Sequence, residues 1–429
     1  MITSGSTYFQ RFRLIEGQGC GSSVSTPEQI VGDETHRVGT GMLLRHEREF
    51  QERQPQISAA DGWVVRPQIA FFEAAGQNAL EGQGYALIHC LPRLPRLVQV
   101  NPSVCKALGA LLRTKHIPEA HENVNVSGLL PEDVGNFFLS LVAICHQTSP
   151  RGKVPLEGFV GGQRLRGWDC LAARFREAVA ADMSWLTPGR WRTASGEDIR
   201  AMFQDPILGD RLSDPEGRAA LLRDLGRSLR ARRWRHIDEL NRYCDGRVAT
   251  GYPNLLGELS RFRAYADPVR KKSLFFLSLM RSYGQWNYND EELIGPPVDY
   301  HEVRGHLRIG TVEVIDETLR LRLYRGERVD AASDVAIRSA VYDAIMRVVE
   351  LSGFSATQLH YLFWNVFRSV CTNENPQCLT ILPDSTLPDR YRHLALQPDG
   401  LRTCPFAATC TSSRCDSRLM EHVLQTDYY

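Results

Sequence analysis

Residues 265–310 constrain this chain more than any other stretch: YADPVRKKSLFFLSLMRSYGQWNYNDEELIGPPVDYHEVRGHLRIG. A basic turn leads into an apolar helix whose first turn carries Lys271 and Lys272, and the run from Leu274 to Met280 demands burial. After a polar connection the chain reaches Pro296-Pro297-Val298-Asp299, a helix-start context in which a carboxylate is electrostatically favoured. A lysine at the mouth of one buried helix and an aspartate at the start of the next can share a pocket. That pair suits cleavage of an N-glycosidic bond. The amine attacks the anomeric carbon, and the carboxylate stabilises oxocarbenium charge and moves protons.

Lys272 is the expected nucleophile, because burial of the run it begins would desolvate the amine and lower its pKa. A shift of register by one residue would give the role to Lys271. Between the two helices, Gln285, Trp286, Asn287, Tyr288 and Asn289 either stack on and read an extruded base or pack the connection against the core.

The segment Val298-Asp299-Tyr300-His301-Glu302-Val303-Arg304, followed by His306-Leu307-Arg308-Ile309-Gly310, resembles one found in helix-hairpin-helix DNA glycosylases, the superfamily of endonuclease III and 8-oxoguanine glycosylase. Lys272-Ser273-Leu274-Phe275-Phe276 resembles the lysine-led helix of the archaeal 8-oxoguanine glycosylases. The chain departs from the family at the glycine-rich hairpin, where Ala266-Asp267-Pro268-Val269-Arg270 stands instead. Further upstream, His146-Gln147-Thr148 is similar to the close of the first core helix in those enzymes. The resemblance implies Lys272 and Asp299 as catalytic residues, with Gln147, Trp286, Tyr288 and His301 facing the base.

A weaker similarity to queuosine salvage N-glycosylases spreads over residues 130–350, beginning at Arg166-Gly167-Trp168. It keeps hydrolysis of a free nucleotide as the alternative to DNA. A glycosylase-derived sensor that binds nucleic acid without cutting it is the non-enzyme alternative. The chain also resembles the 8-oxoguanine-glycosylase-like accessory proteins of type IV CBASS antiphage systems.

Cysteine placement extends the resemblance. Of the 11 cysteines, Cys20, Cys90, Cys105, Cys145, Cys170 and Cys244 are scattered, while Cys371, Cys378, Cys404, Cys410 and Cys415 crowd the end of the chain. Cys371 and Cys378 make C-x6-C with Pro376 between them. Cys404 and Cys410 make C-x5-C with Pro405 after the first. Iron–sulfur glycosylases join these halves as C-x6-C-x2-C-x5-C, whereas residues 379–403 intervene here. The resemblance implies a [4Fe–4S] cluster on Cys371, Cys378, Cys404 and Cys410, and a tetrahedral zinc is the alternative. Arg390, Arg392, His393 and Arg402 in the insertion either face phosphates or are solvated loop residues.

A net charge of +1 supplies no global field for a polyanion, so a DNA surface must be a local patch. Arg223, Arg227, Arg230, Arg232, Arg233 and Arg235, with Trp234 among them, form either a phosphate-tracking surface or a solvated helix face. Arg230, Arg232 and Arg233 are its expected contacts, joined by Arg270 and Lys271 beside the pocket. With no long apolar run and no apolar leader, a cytoplasmic, membrane-free protein is expected.

The remaining pattern is mainly helical. Apolar runs predict helices over 102–112 and 133–148, another from Arg166, and one over 218–229. A stripe at 337, 341, 344, 345, 348 and 351 predicts a further helix ending at Gly353, and Ser355 to Gln358 is a capping box for the next. Alternating Val312, Val314, Leu319, Leu321 and Leu323 predict a short hairpin. The expected organisation is an N-terminal appendage of small mixed or β-containing character (1–124), a helix-hairpin-helix glycosylase-like domain (125–370) and a cysteine-rich metal segment (371–429). The expected activity is a DNA N-glycosylase, with or without AP-lyase activity, excising a modified purine such as 8-oxoguanine or a 7-deazaguanine from a duplex.

Overall fold

The computed structural model describes residues 97–429 except 120–121, 150, 398–399 and 416–417. Most of the N-terminal appendage expected over residues 1–124 lies outside the described residues. All described residues belong to one compact unit, Ala86–Tyr429, and they are mainly helical. Strand β1 (Val98–Val100) precedes helices α1 (Pro102–Arg113) and α2 (Pro131–Ala143). A hairpin of β2 (Glu157–Val160) and β3 (Gln163–Arg166) leads to α3 (Trp168–Ala181), α4 (Pro188–Trp191), α5 (Gly196–Phe203) and α6 (Pro215–Ala231). Two short helices, α7 (Asp238–Cys244) and α8 (Leu255–Leu259), then deliver the chain to α9 (Lys271–Ser282) and α10 (Tyr300–Ile309). Strand β4 (Val312–Val314), α11 (Glu317–Arg325), α12 (Ala331–Ser352), α13 (Ala356–Ser369) and α14 (Asp389–Arg392) complete it.

The apolar side chains sort into two cores. One is built from residues 124–294 and centres on α2, α3, α6 and α9. The other gathers 98–117 with 298–406, around α10, α12 and α13. The division falls between Ile294 and Val298, in the connection from α9 to α10. The chain therefore crosses from one core to the other between its candidate lysines and its candidate aspartate.

Side-chain caps set most of the boundaries, because helix ends leave backbone donors and acceptors unpaired. Asn101 accepts from the amides of Ser103 and Val104, and Ser355 with Gln358 forms the expected capping box. Helix α12 covers the predicted stripe and ends at Gly353, whose φ of 81° suits a residue without Cβ. Segment 98–117, read from sequence as part of an appendage, is integral here. Helix α1 lies along α12 with Gly109 against Leu351, and β1 pairs antiparallel with β4.

The expected hairpin over 312–323 is corrected. Only Val312–Val314 is strand, and its partner is β1 rather than the residues that follow. Asp316 accepts from the Leu319 amide and starts α11. Leu319 and Leu323 share a helix face and are buried, while Leu321 is exposed. A period of two contains the i, i+4 pair of a helix, and the cap decided between them.

Helices α10 and α13 approach closely because Gly305 faces the ring of buried Phe367, where a Cβ would overlap it. Gly305→Ala should therefore cost about 1–3 kcal/mol through overpacking, measured by urea denaturation. A loss below about 0.5 kcal/mol would contradict so close an approach.

Candidate active site

Helix α2 ends inside the protein, where its last carbonyls need donors. Two buried cations supply them. The Lys272 amine donates to the Ala143 carbonyl at 2.5 Å, and Arg218 donates to the carbonyls of Ile144 and His146. Lys272 also reaches the Asp427 carbonyl at 2.5 Å and lies 3.4 Å from His146 Nδ1. It is wholly buried, and desolvation lowers its pKa to about 7. The expected depression is present, yet the amine is committed to carbonyls and does not line the pocket that holds Asp299.

Lys271 lines that pocket instead. An α-helix turns about 100° per residue, so neighbours on the first turn point to different sides. The side chain of Asp267 accepts from the backbone amides of Val269 and Lys271, and its carboxylate is gripped by both terminal nitrogens of buried Arg338 at 2.8 Å. The Lys271 amine lies 3.5 Å from Cys145 Sγ and 5.1 Å above the Phe275 ring. Glu122, Trp168, Pro297, Asp299, His301, His360 and Trp364 complete much of the wall. The pocket occupies about 60 Å³. A purine needs more, so entry requires a wall side chain to move. Half-buried Lys271, Trp364 and Arg368 are placed to do so.

Asp299 is the N-cap of α10. Its Oδ1 accepts from the amides of His301 and Glu302, and its Oδ2 accepts from the Trp364 indole at 3.2 Å. Burial alone would raise its pKa, but the charge of Lys271 beside it and the Glu302 amide hold it below the usual carboxylate value. The carboxylate thus stays ionised while fixed by three donors. His301 is neutral, its pKa lowered to about 3 by burial. Arg304 donates to its Nδ1 at 2.8 Å, which places the ring proton on Nε2.

Glu122 was not singled out from the sequence. It accepts from the Trp168 indole at 2.9 Å, and burial, reinforced by nearby Asp169, raises its carboxyl to about 7. Nothing in its local sequence announces this; the pocket forms only when segment 122–124 packs beside Tyr283. His360, also unmarked in the sequence, is paired with Glu302 at 2.8 Å.

The other expected site residues disperse. Gln147 takes a left-handed conformation (φ 50°), and its amide reaches the carbonyls of Leu424 and Tyr429, so it borders a neighbouring cavity. Trp286 is buried with its indole on Asp238, and Tyr288 donates to the Leu277 carbonyl; both pack the connection. Arg230 and Arg233 are exposed near the end of α6, while Arg232 lies over Phe262 and Trp234. None of the three borders either cavity. Arg270 is exposed at the α9 N-cap with φ 62°.

Cys371, Cys378 and Cys404 are buried and Cys410 is partly so. Arg308 donates to Cys371 Sγ at 3.4 Å, while Cys410 Sγ lies 3.2 Å from the Arg308 carbonyl. Burial raises all of the Cys378, Cys404 and Cys410 thiols, Cys410 to about 12, and neighbouring cysteines add to each shift. Cys415 is exposed. The insertion 379–403 is anchored rather than loose: Leu382, Leu387, Tyr391 and Leu394 enter the second core. Arg392 and Arg402 pair with Asp389 and Asp384. Among the described residues, one His/Cys/Asp/Glu group brings three donor atoms within 4.8 Å of one another: His146, Asp214 and Asp427. Lys272 and Arg218 crowd the same place with positive charge.

No helix of the described residues is long and apolar enough to cross a membrane. No protein-family model matches the sequence, and the comparison with curated proteins finds no match.

The buried amine makes stability depend on pH. Lys272 keeps its proton in the unfolded chain up to about 10.5 but loses it near 7 when folded. The unfolded state therefore binds more protons between those values, and stability from this group should rise with pH across them. Chemical denaturation of the wild type and Lys272→Met should show a stability difference that grows from pH 7 toward 10 and is flat below about 6. A difference independent of pH would mean that the amine is not desolvated.

Proposed function

We propose that the protein is an N-glycosylase that cleaves a guanine-type base from its sugar, with Lys271 rather than Lys272 as nucleophile. The observation that carries this reading is the shared pocket of Lys271 and an ionised, triply hydrogen-bonded Asp299. The base would lie between Trp168 and Trp364. There the Glu122 carboxylate can accept from the N1–H and 2-amino group that adjoin only on a guanine-type edge. The neutral Lys271 amine attacks the anomeric carbon as its bond to the base breaks, and a proton lost by the attacking nitrogen passes through Asp299 to the departing base. Asp299 stabilises the positive charge that develops on the sugar. Loss of a proton from the new C–N bond and opening of the sugar ring give a Schiff base, from which β-elimination follows as AP-lyase chemistry.

DNA with an extruded modified purine, 8-oxoguanine or a 7-deazaguanine, is the substrate favoured by the resemblance in residues 298–310. A role in antiphage defence rests on resemblance as well. Hydrolysis of a free nucleotide is the second reading. In its favour, the exposed arginines of α6 do not border the pocket.

The resemblance in the cysteine spacing favours an iron–sulfur cluster, with a tetrahedral zinc as the alternative. Arg308 at Cys371 and Arg418 near Cys378 would balance the negative charge of the cluster. Cys371, Cys378, Cys404 and Cys410 would hold it. When bound, the group ties the tail to α10.

Incubation with modified-base duplexes, single strands and nucleotides should release free base, followed by chromatography. Asp299→Asn should slow release about 10²–10³-fold while binding persists. No release from any substrate would leave a binding-only sensor. Anaerobically purified protein should carry iron and sulfide, and substitution of Cys404 by Ala should remove both. One equivalent of zinc without iron would overturn the cluster.

A further inference from the structure

A second cavity, of about 350 Å³, adjoins the pocket and shares Tyr300 and Tyr429 with it. Three polar atoms among its lining residues are buried without a hydrogen-bond partner: Arg151 Nη1, Glu421 Oε2 and His422 Nδ1. Glu421 and His422 are each only 4% exposed. Orphaned buried groups are costly, and three of them in residues that line one cavity point to a ligand within their reach. Lys153 and Arg328, both exposed, add positive charge to the same lining.

The chemistry of the lining is specific. His422 has its Nε2 on Asp334 and on the Tyr429 hydroxyl, at 2.7 and 2.8 Å, so Nδ1 is the ring nitrogen without a partner. An N–H there donates to an anion. The Glu421 charge is already balanced by Arg304 at 2.9 Å, so its second oxygen is available to a hydroxyl. Arg151, Lys153 and Arg328 together suit a phosphate, which accepts from all of them.

We propose that this cavity is a phosphate subsite, holding the phosphoryl group of the nucleotide whose base occupies the neighbouring pocket. Arg151, Lys153, Arg328 and His422 bind the phosphate oxygens, and Glu421 accepts from a sugar hydroxyl when the ligand is a free nucleotide. The proposal rests on the N-glycosylase reading for the identity of the neighbouring ligand. A phosphomonoester of a free nucleotide and a phosphodiester of a strand offer the same oxygens, and the test separates them.

Calorimetric affinities of deoxyguanosine, its 5′-monophosphate and a single-stranded oligonucleotide would be compared in the wild type, Arg151→Gln, Arg328→Gln and Lys153→Gln. The monophosphate should bind at least about tenfold more tightly than the nucleoside, an advantage of about 1.4 kcal/mol. Arg151→Gln should shrink that gap to about twofold with nucleoside affinity unchanged, and the two exposed-site variants should shrink it partly. If the monophosphate shows no gap but the oligonucleotide weakens in all three variants, the phosphate is that of a strand. The subsite is overturned if neither ligand responds to any variant. The exposed-site substitutions keep the test decisive should Arg151→Gln fail to fold. Binding is read without turnover. Phosphate-dependent binding with no base release would sink the glycosylase reading alone, and base release with no phosphate effect would sink the subsite alone.

Discussion

The buried end of α2 governs the placement of everything around the pocket. Its last carbonyls cannot reach water, and Lys272 and Arg218 are drawn in to meet them. Charged side chains are rarely buried without such compensation. With Lys272 spent on this task, the helical step of about 100° sends Lys271 toward Cys145, Phe275 and the pocket. Asp267 and Arg338 fix the turn before it, so the first turn of α9 has little freedom to rotate.

Helix α10 has a comparable role on the other side. Its N-terminus presents Asp299, Tyr300 and His301 to the pocket. One turn on, Arg304 and Arg308 hold the carbonyls of Cys371, Thr372 and Asn373, and Arg308 also holds that of Leu419. The cysteine segment and the final stretch that carries Glu421 and His422 are thus fastened to the helix that carries the candidate carboxylate. A group bound by the cysteines would act on the pocket through α10, by fixing its position.

Much of this was legible in the sequence because it depends on local chemistry. The lysine-led run, the Asp299 helix start, the Ser355–Gln358 cap and the α12 stripe are short-range patterns, and each is where the sequence puts it. The choice between Lys271 and Lys272 was not legible, since it turns on carbonyls of Ala143 and Asp427 far away in sequence. Glu122 was hidden for the same reason: its significance comes from Trp168, Tyr283 and the closing of the two cores. Trp286 and Tyr288 show the converse, as aromatic residues suggestive of base stacking that instead find partners in Asp238 and Leu277. The alternation over 312–323 misled because one cap at Asp316 outweighs it.

The assignment of the nucleophile is the claim on which the account stands. Reaction with a base-modified oligonucleotide in the presence of borohydride, followed by digestion and mass spectrometry, would locate the covalent sugar adduct. The account predicts that the adduct is on Lys271, is lost in Lys271→Gln, and persists in Lys272→Met wherever that variant is folded. An adduct mapped to Lys272, or undiminished trapping by Lys271→Gln, would contradict it.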